Sequence, residues 1–322
     1  MAAIECRAMG TTCHLEVWVA ANDPTGEQAG RVLEGMTGRL RELEARWSRF
    51  IPGSDVSRMN RHAGVDVPVS TDTTSLVAQA ISAWELTGGL VDPTVLHALE
   101  TAGYPPSGWF SDAPTTSGSR HSTRVVPGPQ GIVVNADVGT VFLPTGVGFD
   151  PGGIGKGRAV DLLVDWAHAA GAQGVCADLG GDVKVSGTGS GPGRGSWCVA
   201  VDHGDGFIAS VIFDRGTAGA VATSSVLARR WDGPEGAAHH LIDPRSGRPS
   251  TSDLVAVSVV GAEAMWAEVV AKAAVIAGSS QGRVLVERLG LSALASTVDR
   301  SVLRWGSIDS FLATSQPHMV QS

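Results

Sequence analysis

The sequence predicts an α+β fold, in which helices flank mixed or antiparallel sheets. Apolar residues have helical spacing near both ends of the chain, and seven short strand-like runs follow one another between residues 174 and 260. Successive strands without a helix between each pair favour antiparallel pairing over the strand–helix alternation of a doubly wound sheet. Glycine-bearing turns separate the runs, which is typical of short connections.

The N-terminal part of the chain predicts one strand followed by two helices. Polar and apolar residues alternate over 13–20, as in a half-buried strand. Apolar residues then recur at steps of three and four, which predicts a helix ending near Trp47. They are Leu33, Met36, Leu40, Leu43 and Trp47. A second helix is predicted from Thr74 to Thr87, where Gly88 and Gly89 end it.

The rest of the chain predicts a loop, a run of strands and three more helices. Residues 103–131 are rich in Pro, Gly and Ser and read as a long irregular loop, whereas 157–170 predicts a helix ended by Gly171. Strands are predicted at 174–179, 182–187, 197–202, 208–213, 219–223, 239–242 and 254–260. The remaining elements are the helix 263–277 with Gly278 as its stop, the helix 281–289 and the strand 292–297.

The most distinctive segment is a glycine-rich turn that leads into the helix at 157–170. Residues 149–161 contain four glycines, together with Lys156. Unpaired N–H groups and the positive end of the helix dipole favour an anion at such a turn, most often a phosphate. The P-loop pattern is not met, because Gly157 stands where that pattern has Ser or Thr. A turn required only for packing is therefore an equal alternative.

Two further clusters carry polar groups that could serve a site. Thr223, Ser224 and Ser225 follow an apolar strand, where their hydroxyls could hold phosphate or ribose oxygens; a polar turn is the alternative. His239 and His240 are neighbours on a predicted strand, so at most one can face a given site, and a structural histidine is the alternative.

Glu268 and Lys272 form a third cluster on the helix 263–277. They lie at i and i+4 and therefore on one face of the helix. Glu four residues before Lys is the favourable order for a surface ion pair, so a solvated pair is the simplest interpretation of the two residues alone.

Composition and charge exclude several classes of protein. The 32 acidic residues exceed the 24 basic ones, the net charge is −8, and no run of Lys or Arg marks a nucleic-acid-binding face. The four cysteines form no Cys-x-x-Cys pair, so neither a cysteine metal site nor a redox motif is supported. The N-terminus lacks the features of a signal peptide, and no segment suggests a membrane span. We therefore expect a cytoplasmic protein without a transmembrane segment or a nucleic-acid partner.

Seven motifs, taken in order, make the chain resemble the ApbE family, the FAD:protein FMN transferases, from about Met9 to Gly278. The motifs are Met9-Gly10-Thr11, residues 47–60, residues 88–93, residues 150–161, Leu179-Gly180-Gly181-Asp182, Ala222-Thr223-Ser224 and residues 240–247. Each is weak alone, and their common order is what carries the resemblance. It implies one domain over 1–310, made of two intertwined subdomains with the flavin between them, and a disordered tail over 311–322.

The resemblance implies an enzyme that cleaves FAD. Members of the family attach FMN through its phosphate to a threonine, sometimes serine, hydroxyl of a target flavoprotein, and AMP leaves. FAD is then the donor substrate, and the partner is a flavin-accepting protein with an exposed Thr or Ser. An FAD diphosphatase that releases FMN and AMP is one alternative, and a non-catalytic FAD-binding protein is another.

The resemblance also implies roles for individual residues. His240 is the histidine that assists removal of the acceptor proton, and Lys156 supports catalysis beside the diphosphate. The residues implied in FAD binding are Met9, Phe50, Leu90, Val91, Asp92, Asp150, Gly153, Lys156, Thr223 and Ile242.

The chain departs from the family at the implied Mg²⁺ site. Most members carry Ala-Asp-x-x-x-Thr on the late helix, whose Asp and Thr bind the ion together with a carbonyl at the position of Gly153. Here Glu268 replaces that Asp and Lys272 replaces that Thr. An ammonium has no lone pair for a metal. We therefore hypothesise that Lys272 replaces the cation; Mg²⁺ shifted onto Glu268 is the alternative.

Overall fold

A computed structural model describes residues 1–20, 26–104, 125–191, 195–204 and 206–313 of the protein. The helices of these residues are α1 (Glu27–Trp47), α2 (Asp55–Arg61), α3 (Thr71–Leu86), α4 (Leu96–Thr101), α5 (Gly155–Ala169) and α6 (Ala264–Arg288). The strands up to the middle of the chain are β1 (Ala2–Ala8), β2 (Thr11–Trp18), β3 (Asp66–Pro68), β4 (Val133–Asn135), β5 (Thr140–Phe142), β6 (Gly174–Leu179), β7 (Asp182–Gly187), β8 (Trp197–Asp202) and β9 (Phe207–Phe213). The later strands are β10 (Ala218–Ser225), β11 (Arg230–Gly233), β12 (Gly236–His239), β13 (Ile242–Asp243), β14 (Arg248–Pro249), β15 (Leu254–Gly261), β16 (Ser292–Thr297) and β17 (Val302–Trp305).

The largest sheet has eight antiparallel strands in the order β1-β2-β6-β7-β10-β15-β16-β17. A small sheet has the order β3-β5-β4, and three two-stranded ribbons pair β8 with β9, β11 with β12 and β13 with β14. All of these pairings are antiparallel, so the predicted α+β class is confirmed.

The chain divides into two compact units, each assembled from separate segments. Unit 1 contains Met1–Leu40, Lys156–Ser225 and the chain from Asp253 onward, whereas unit 2 contains Arg41–Gly155 and Val226–Ser252.

In unit 1, alternate residues of the eight-stranded sheet face two different layers. On β7, Lys184 forms an ion pair with Asp161 of α5, whereas Val183 and Val185 belong to an apolar cluster with Trp197 of the β8–β9 ribbon. The long helix α6 packs on β10 and β15 and is buried along most of its length. The sheet therefore has a helical layer on one face and a ribbon on the other.

Unit 2 is held together by a buried carboxylate and a small apolar core. Asp55 accepts hydrogen bonds from the N–H and hydroxyl of Ser70 and from the Thr73 hydroxyl, at 2.7–3.0 Å. These bonds outweigh the burial of the carboxyl and lower its pKa. Ser70 in turn caps α3. The core cluster comprises Val95, Ala98, Leu99, Tyr104 and Ile242.

Several elements have the bounds that the sequence predicts. The strands at 174–179, 182–187, 197–202 and 292–297 are found at those residues. Gly278 interrupts α6 with φ +83° and ψ 170°, a backbone that other residues rarely adopt, so the predicted stop between two helical segments is confirmed.

Other predictions were wrong or incomplete. The strand expected over 239–242 is broken, because β12 ends at His239 and β13 begins at Ile242. Of the tail predicted over 311–322, Leu312 bridges Val211 and the Ala313 N–H donates to the Ser210 carbonyl, whereas residues 314–322 lie outside the described chain. Of the predicted loop 103–131, residues 105–124 lie outside the described chain, and 125–131 contain neither helix nor strand.

One helix of the described residues, α6, is long and apolar enough to cross a membrane by length and composition. No such segment was expected from the sequence. Because 67% of its most apolar stretch is buried within the protein, α6 serves here as a core helix.

Candidate functional site

In unit 1, the start of α5 places a lysine between two buried carboxylates. The Lys156 ammonium forms an ion pair with Asp182 of β7 and lies 3.6 Å from Oε1 of Glu268 on α6. Asp182 is completely buried and Glu268 is 4% exposed. The Lys156 side chain remains 25% exposed, so its charge can still be approached by an anion from solution.

Burial dominates the electrostatics of this cluster. Desolvation raises the pKa of Asp182 to about 7, against the opposing effect of Lys156, and Glu268 adds to the rise. Burial likewise raises the pKa of Asp178, although the Gly181 N–H donates to that carboxylate at 2.8 Å. Oδ1 of Asp182 has no hydrogen-bond partner in the part of the chain that the structure describes.

Gly157 allows α5 and α6 to approach backbone to backbone. Its N–H donates to Oε2 of Glu268 at 2.8 Å, and a Cβ at this position would lie 2.5 Å from the Ala264 carbonyl oxygen. A Ser or Thr could not be accommodated there without moving a helix. The departure of the glycine turn from the P-loop pattern therefore has a packing cause, although Lys156 beside it is available for binding.

Asp161 fixes the other end of this contact. Its carboxylate accepts hydrogen bonds at 3.0 Å from the N–H groups of Ala264 and Met265, and Lys184 donates to it at 2.8 Å. A carboxylate from α5 thus satisfies the first turn of α6 and orients the helix that carries Glu268. No role was predicted for Asp161 from the sequence, because its buried position cannot be read from the spacing of the apolar residues.

Three predicted motifs meet at one end of the sheet in unit 1. Met9 and Gly10 form the turn between β1 and β2, both with positive φ (50° and 72°). A Cβ on Gly180 would lie 2.1 Å from the Thr11 hydroxyl, and an added Cβ on Gly181 would be 4.0 Å from that of Thr223. The Met9, Gly180–Gly181 and Thr223 motifs are therefore neighbours. Met9 holds a strained conformation, which is frequent at functional sites.

In unit 2, an arginine joins the glycine turn to an aromatic pair. Arg49 forms a 2.9 Å ion pair with Asp150, and both side chains are less than a tenth exposed. Its guanidinium lies 4.4 Å from the ring centroid of Phe50 and 4.7 Å from that of Tyr104. The two rings stack at 6.3 Å with an interplanar angle of 22°. The Gly152 N–H donates to Asp150, which shapes the turn.

Tyr104 and Trp231 are site candidates that were not predicted from the sequence, and Arg49 is a third. The two rings meet edge to face at 5.2 Å, and Arg229 donates to the Tyr104 hydroxyl at 3.2 Å. Tyr104 is the only tyrosine of the sequence, and this rarity could have marked it as a candidate. Trp231 could not be found, because it lies 127 positions after Tyr104 and no spacing links them.

The predicted residues Leu90, Val91 and Asp92 form a tight turn beside Asp150. The Asp92 carboxylate accepts from the N–H and hydroxyl of Thr94 at 2.7 and 2.6 Å. The Asp150 N–H donates to the Pro93 carbonyl at 2.8 Å. Asp92 and Val91 are buried and Leu90 is half-buried. This turn thus supports the start of the glycine segment.

The two neighbouring histidines of unit 2 have different surroundings. His239 contacts the Ser250 carbonyl through Nε2 at 2.9 Å and the Leu241 N–H through Nδ1 at 3.3 Å, and burial lowers its pKa. His239 thus has a structural role, since both of its ring nitrogens contact backbone groups. His240 lies between β12 and β13, half-buried with Nδ1 buried, and Ile242 is a core residue.

The residues at the implied metal position do not fit a divalent cation. Oε2 of Glu268 accepts from Gly157, and Oε1 faces the Lys156 ammonium. Lys272, one turn later on α6, is buried like Glu268, so the interpretation as a solvated surface pair was wrong. No group of three or more His, Cys, Asp or Glu side chains suited to a metal occurs among the described residues. Gly153, the third implied ligand, lies in the turn before α5 with φ +106°.

Comparisons with known proteins agree with the fold and the motifs. A model of the ApbE family matches residues 9–295. The chain is 26% identical to an FAD:protein FMN transferase of Vibrio cholerae over 251 residues, which are 77% of this chain and 74% of the relative. It is 25% identical to one of Treponema pallidum over 312 residues, 91% of this chain and 84% of the relative.

Solved structures are similar along nearly the whole chain. The ApbE protein of Thermotoga maritima superposes with a TM-score of 0.80 at 23% identity, covering 97% of this chain and 99% of that one. The apo form of the flavinyl transferase ApbE of Pseudomonas stutzeri superposes with a TM-score of 0.77 at 23% identity, covering 98% and 97%. The predicted fold is therefore confirmed.

Proposed function

The chain belongs to the ApbE family, and we propose that it is an FAD:protein FMN transferase with a threonine or serine hydroxyl of a flavoprotein as acceptor. The observation that carries the proposal is the partly exposed Lys156 ammonium at the first turn of α5, anchored by Asp182 and Glu268. A lysine at a helix N-terminus, where the helix dipole adds partial positive charge, suits a diphosphate.

The proposed reaction is the transfer of an FMN phosphoryl group. The acceptor hydroxyl oxygen forms a bond to the FMN phosphorus, the bond from that phosphorus to the bridging oxygen breaks, and AMP leaves with that oxygen. The hydroxyl proton passes to a base. Such transfers depend on positioning and on neutralising negative charge more than on covalent chemistry.

In unit 1, the Lys156 ammonium at the positive end of the α5 dipole would neutralise the diphosphate. The carboxylates of Asp182 and Glu268 fix the position of Lys156, which limits the reorganisation needed when an anion arrives. The Thr223 hydroxyl, beside Gly181, would donate a hydrogen bond to a substrate oxygen.

In unit 2, His240 would accept the proton of the acceptor hydroxyl. It is the better candidate of the two histidines, because His239 already binds the backbone through both ring nitrogens. The Phe50 ring is more than a third exposed and is backed by the buried Tyr104 ring, so it offers a surface suited to a planar ring system.

We further propose that transfer by this chain does not require Mg²⁺. Lys156 and Lys272 would supply the positive charge. The Glu268 carboxylate already contacts the Gly157 N–H and the Lys156 ammonium. The Lys272 ammonium offers no lone pair to a metal. A Mg²⁺ ion held by Glu268 with Lys272 turned aside is the competing arrangement.

The proposed activity can be tested by incubating the protein with FAD and a flavin-accepting domain. A covalent FMN mass increase on the acceptor is expected. Release of AMP without an adduct would support the diphosphatase instead, and intact bound FAD would support a binding protein.

His240→Ala should slow transfer about 100-fold while FAD affinity stays within about twofold. An equal loss of both would contradict the assignment of the base.

The metal proposal is tested by repeating the transfer assay in EDTA. Activity within about twofold of the untreated rate is expected. Activity that disappears and returns with Mg²⁺ would overturn the proposal. The matched variant carries Glu268→Asp and Lys272→Thr, which restores the donor set of most relatives, and its transfer is expected to depend on Mg²⁺.

A further inference from the structure

A buried histidine in unit 1 is connected by one serine to the proposed FAD-binding residue Thr223. His203 follows β8 and is 1% exposed. Its Nε2 lies 3.0 Å from the Ser258 hydroxyl oxygen, which lies 2.7 Å from that of Thr223. Its Nδ1 lies 2.6 Å from the Ser296 hydroxyl oxygen. We call these four side chains the hydroxyl chain.

The hydroxyl chain crosses three neighbouring strands and reaches the surface at one end. Thr223 of β10 and Ser258 of β15 are directly opposite in the sheet register, and Ser296 belongs to β16. Of the four side chains, Thr223 is the one that is partly exposed; the other three are buried. The three buried side chains therefore set the hydrogen-bonding character of the Thr223 hydroxyl, that is, whether it can donate to a ligand or only accept from one.

That character depends on which ring nitrogen of His203 carries the proton. A neutral imidazole donates at one nitrogen and accepts at the other, and each hydroxyl has a single proton to donate. If Nε2 carries the proton, it donates to Ser258, Ser258 donates to Thr223, and the Thr223 proton is available for a ligand. If Nδ1 carries it, Ser258 donates to Nε2, Thr223 donates to Ser258, and Thr223 can only accept from a ligand.

We infer that His203 is a positioning residue that directs the Thr223 hydroxyl proton outward, toward an oxygen of the bound dinucleotide. The inference rests on the proposed function, because FAD supplies the accepting oxygen. Phosphate oxygens accept hydrogen bonds and donate none when ionised, so the Nε2-protonated form is the one in which Thr223 can bind them. Ser296 is compatible with this form, since its hydroxyl can donate to Nδ1 as well as accept from it.

A double-mutant cycle on FAD affinity tests the inference. His203→Leu and Thr223→Val should each weaken FAD binding about tenfold, the value of one hydrogen bond to a charged acceptor. In the Thr223→Val background, His203→Leu should weaken binding by no more than about twofold, because both changes remove the same bond. Equal weakening in both backgrounds would overturn the inference and leave His203 a packing residue.

Two further variants separate positioning from packing. His203→Gln keeps a donor near the Nε2 position and should restore affinity to within about twofold of the wild type. Ser292→Ala is the matched control, since Ser292 is a buried serine of the same strand as Ser296 but does not belong to the hydroxyl chain. Its hydroxyl accepts a hydrogen bond from the Ser307 N–H. Its FAD affinity should equal that of the wild type. A loss with His203→Gln as large as that with His203→Leu would contradict the inference.

The state of the histidine can be measured without FAD. The ¹⁵N shifts of labelled imidazoles, with His203 assigned by comparison with His203→Gln, should show Nε2 protonated and Nδ1 accepting. A proton on Nδ1 would refute the inference even if FAD binds. A protein with the expected tautomer that fails to bind FAD would refute the proposed function and leave the direction of the hydroxyl chain standing.

Discussion

At the scale of single residues, Lys156 has both a structural role and a proposed functional role. Asp182 and Glu268 are buried and need a positive partner, and the Lys156 ammonium meets both. The same ammonium is partly exposed, so an approaching anion can share it. The anchoring of Lys156 therefore keeps its charge in place before any substrate is bound.

Removing the Lys156 charge should affect transfer much more than removing a nearby one. We expect Lys156→Gln to lower the rate of FMN transfer about 100-fold, comparable to the loss of one preorganised donor. Arg158→Gln is the matched control, because residues two apart on a helix point in nearly opposite directions. Steady-state transfer assays on both variants check this, and equal rates would contradict the role of Lys156.

Asp182 should make the stability of the protein fall as the pH rises. Its pKa is raised in the folded protein from 3.8 to about 7, because its carboxyl is completely buried. Between these values the folded state holds a proton that the unfolded chain has lost. The contribution of Asp182 to stability is thus complete below pH 3.8 and is lost as the pH rises through about 7.

Urea unfolding at a series of pH values measures this contribution. The free energy of unfolding of the wild type should decrease between pH 4 and 7 relative to that of Asp182→Asn, which cannot ionise. Parallel pH dependences of the two proteins would show that another group is responsible.

At the scale of elements, the contact between α5 and α6 depends on the glycine after Lys156. Asp161 binds the first turn of α6, and Gly157 lies against the Ala264 carbonyl, so that Glu268 and Lys156 meet. The charged cluster is thus a consequence of how two helix starts pack together.

A pair of glycine substitutions tests this contact. Gly157→Ala places a Cβ 2.5 Å from the Ala264 carbonyl oxygen, and it should destabilise the protein by about 1–3 kcal/mol. Gly155→Ala is the control, since its Cβ would make an ordinary 3.5 Å contact with Pro151. It should leave stability unchanged or raise it slightly. Thermal unfolding of both variants measures the difference, and equal melting temperatures would contradict the close contact.

Element prediction succeeded where a local pattern determines the structure. β6 is a short, largely apolar run and β7 alternates polar and apolar residues; Gly180 and Gly181, whose positive φ values make the turn, separate them. β1 was missed although residues 4–8 alternate, because it is an edge strand with mostly exposed side chains and its pairing with β2 supplies its stability. The short helices α2 and α4 were missed since one or two turns carry too little periodicity to be recognised.

At the scale of the whole molecule, unit 1 needs the C-terminal part of the chain. Its sheet places β10 beside β15, and α6 packs on both, although these elements begin more than 25 residues after β10 ends. The segments of unit 2, in contrast, all lie before Asp253. Completion of unit 1 therefore depends on contacts distant in sequence.

Ending the chain at Ser252 should abolish the structure of unit 1. That truncation removes β15, β16 and α6, so the apolar face of β10 loses its cover. Amide hydrogen exchange should show protection of β6 and β7 in the full chain and loss of it in the truncated one. Retained protection of these strands would show that the N-terminal segments fold without the rest.

The sequence by itself determined the fold class, the order of the motifs and the family, because each motif consists of residues close together in the chain and the order of the motifs is read along it directly. The tertiary structure decided the rest. It showed that Glu268 and Lys272 are buried, that Arg49 joins Asp150 to Phe50 and Tyr104, and that Gly157 serves packing. These facts depend on contacts between residues tens of positions apart, which no local spacing encodes.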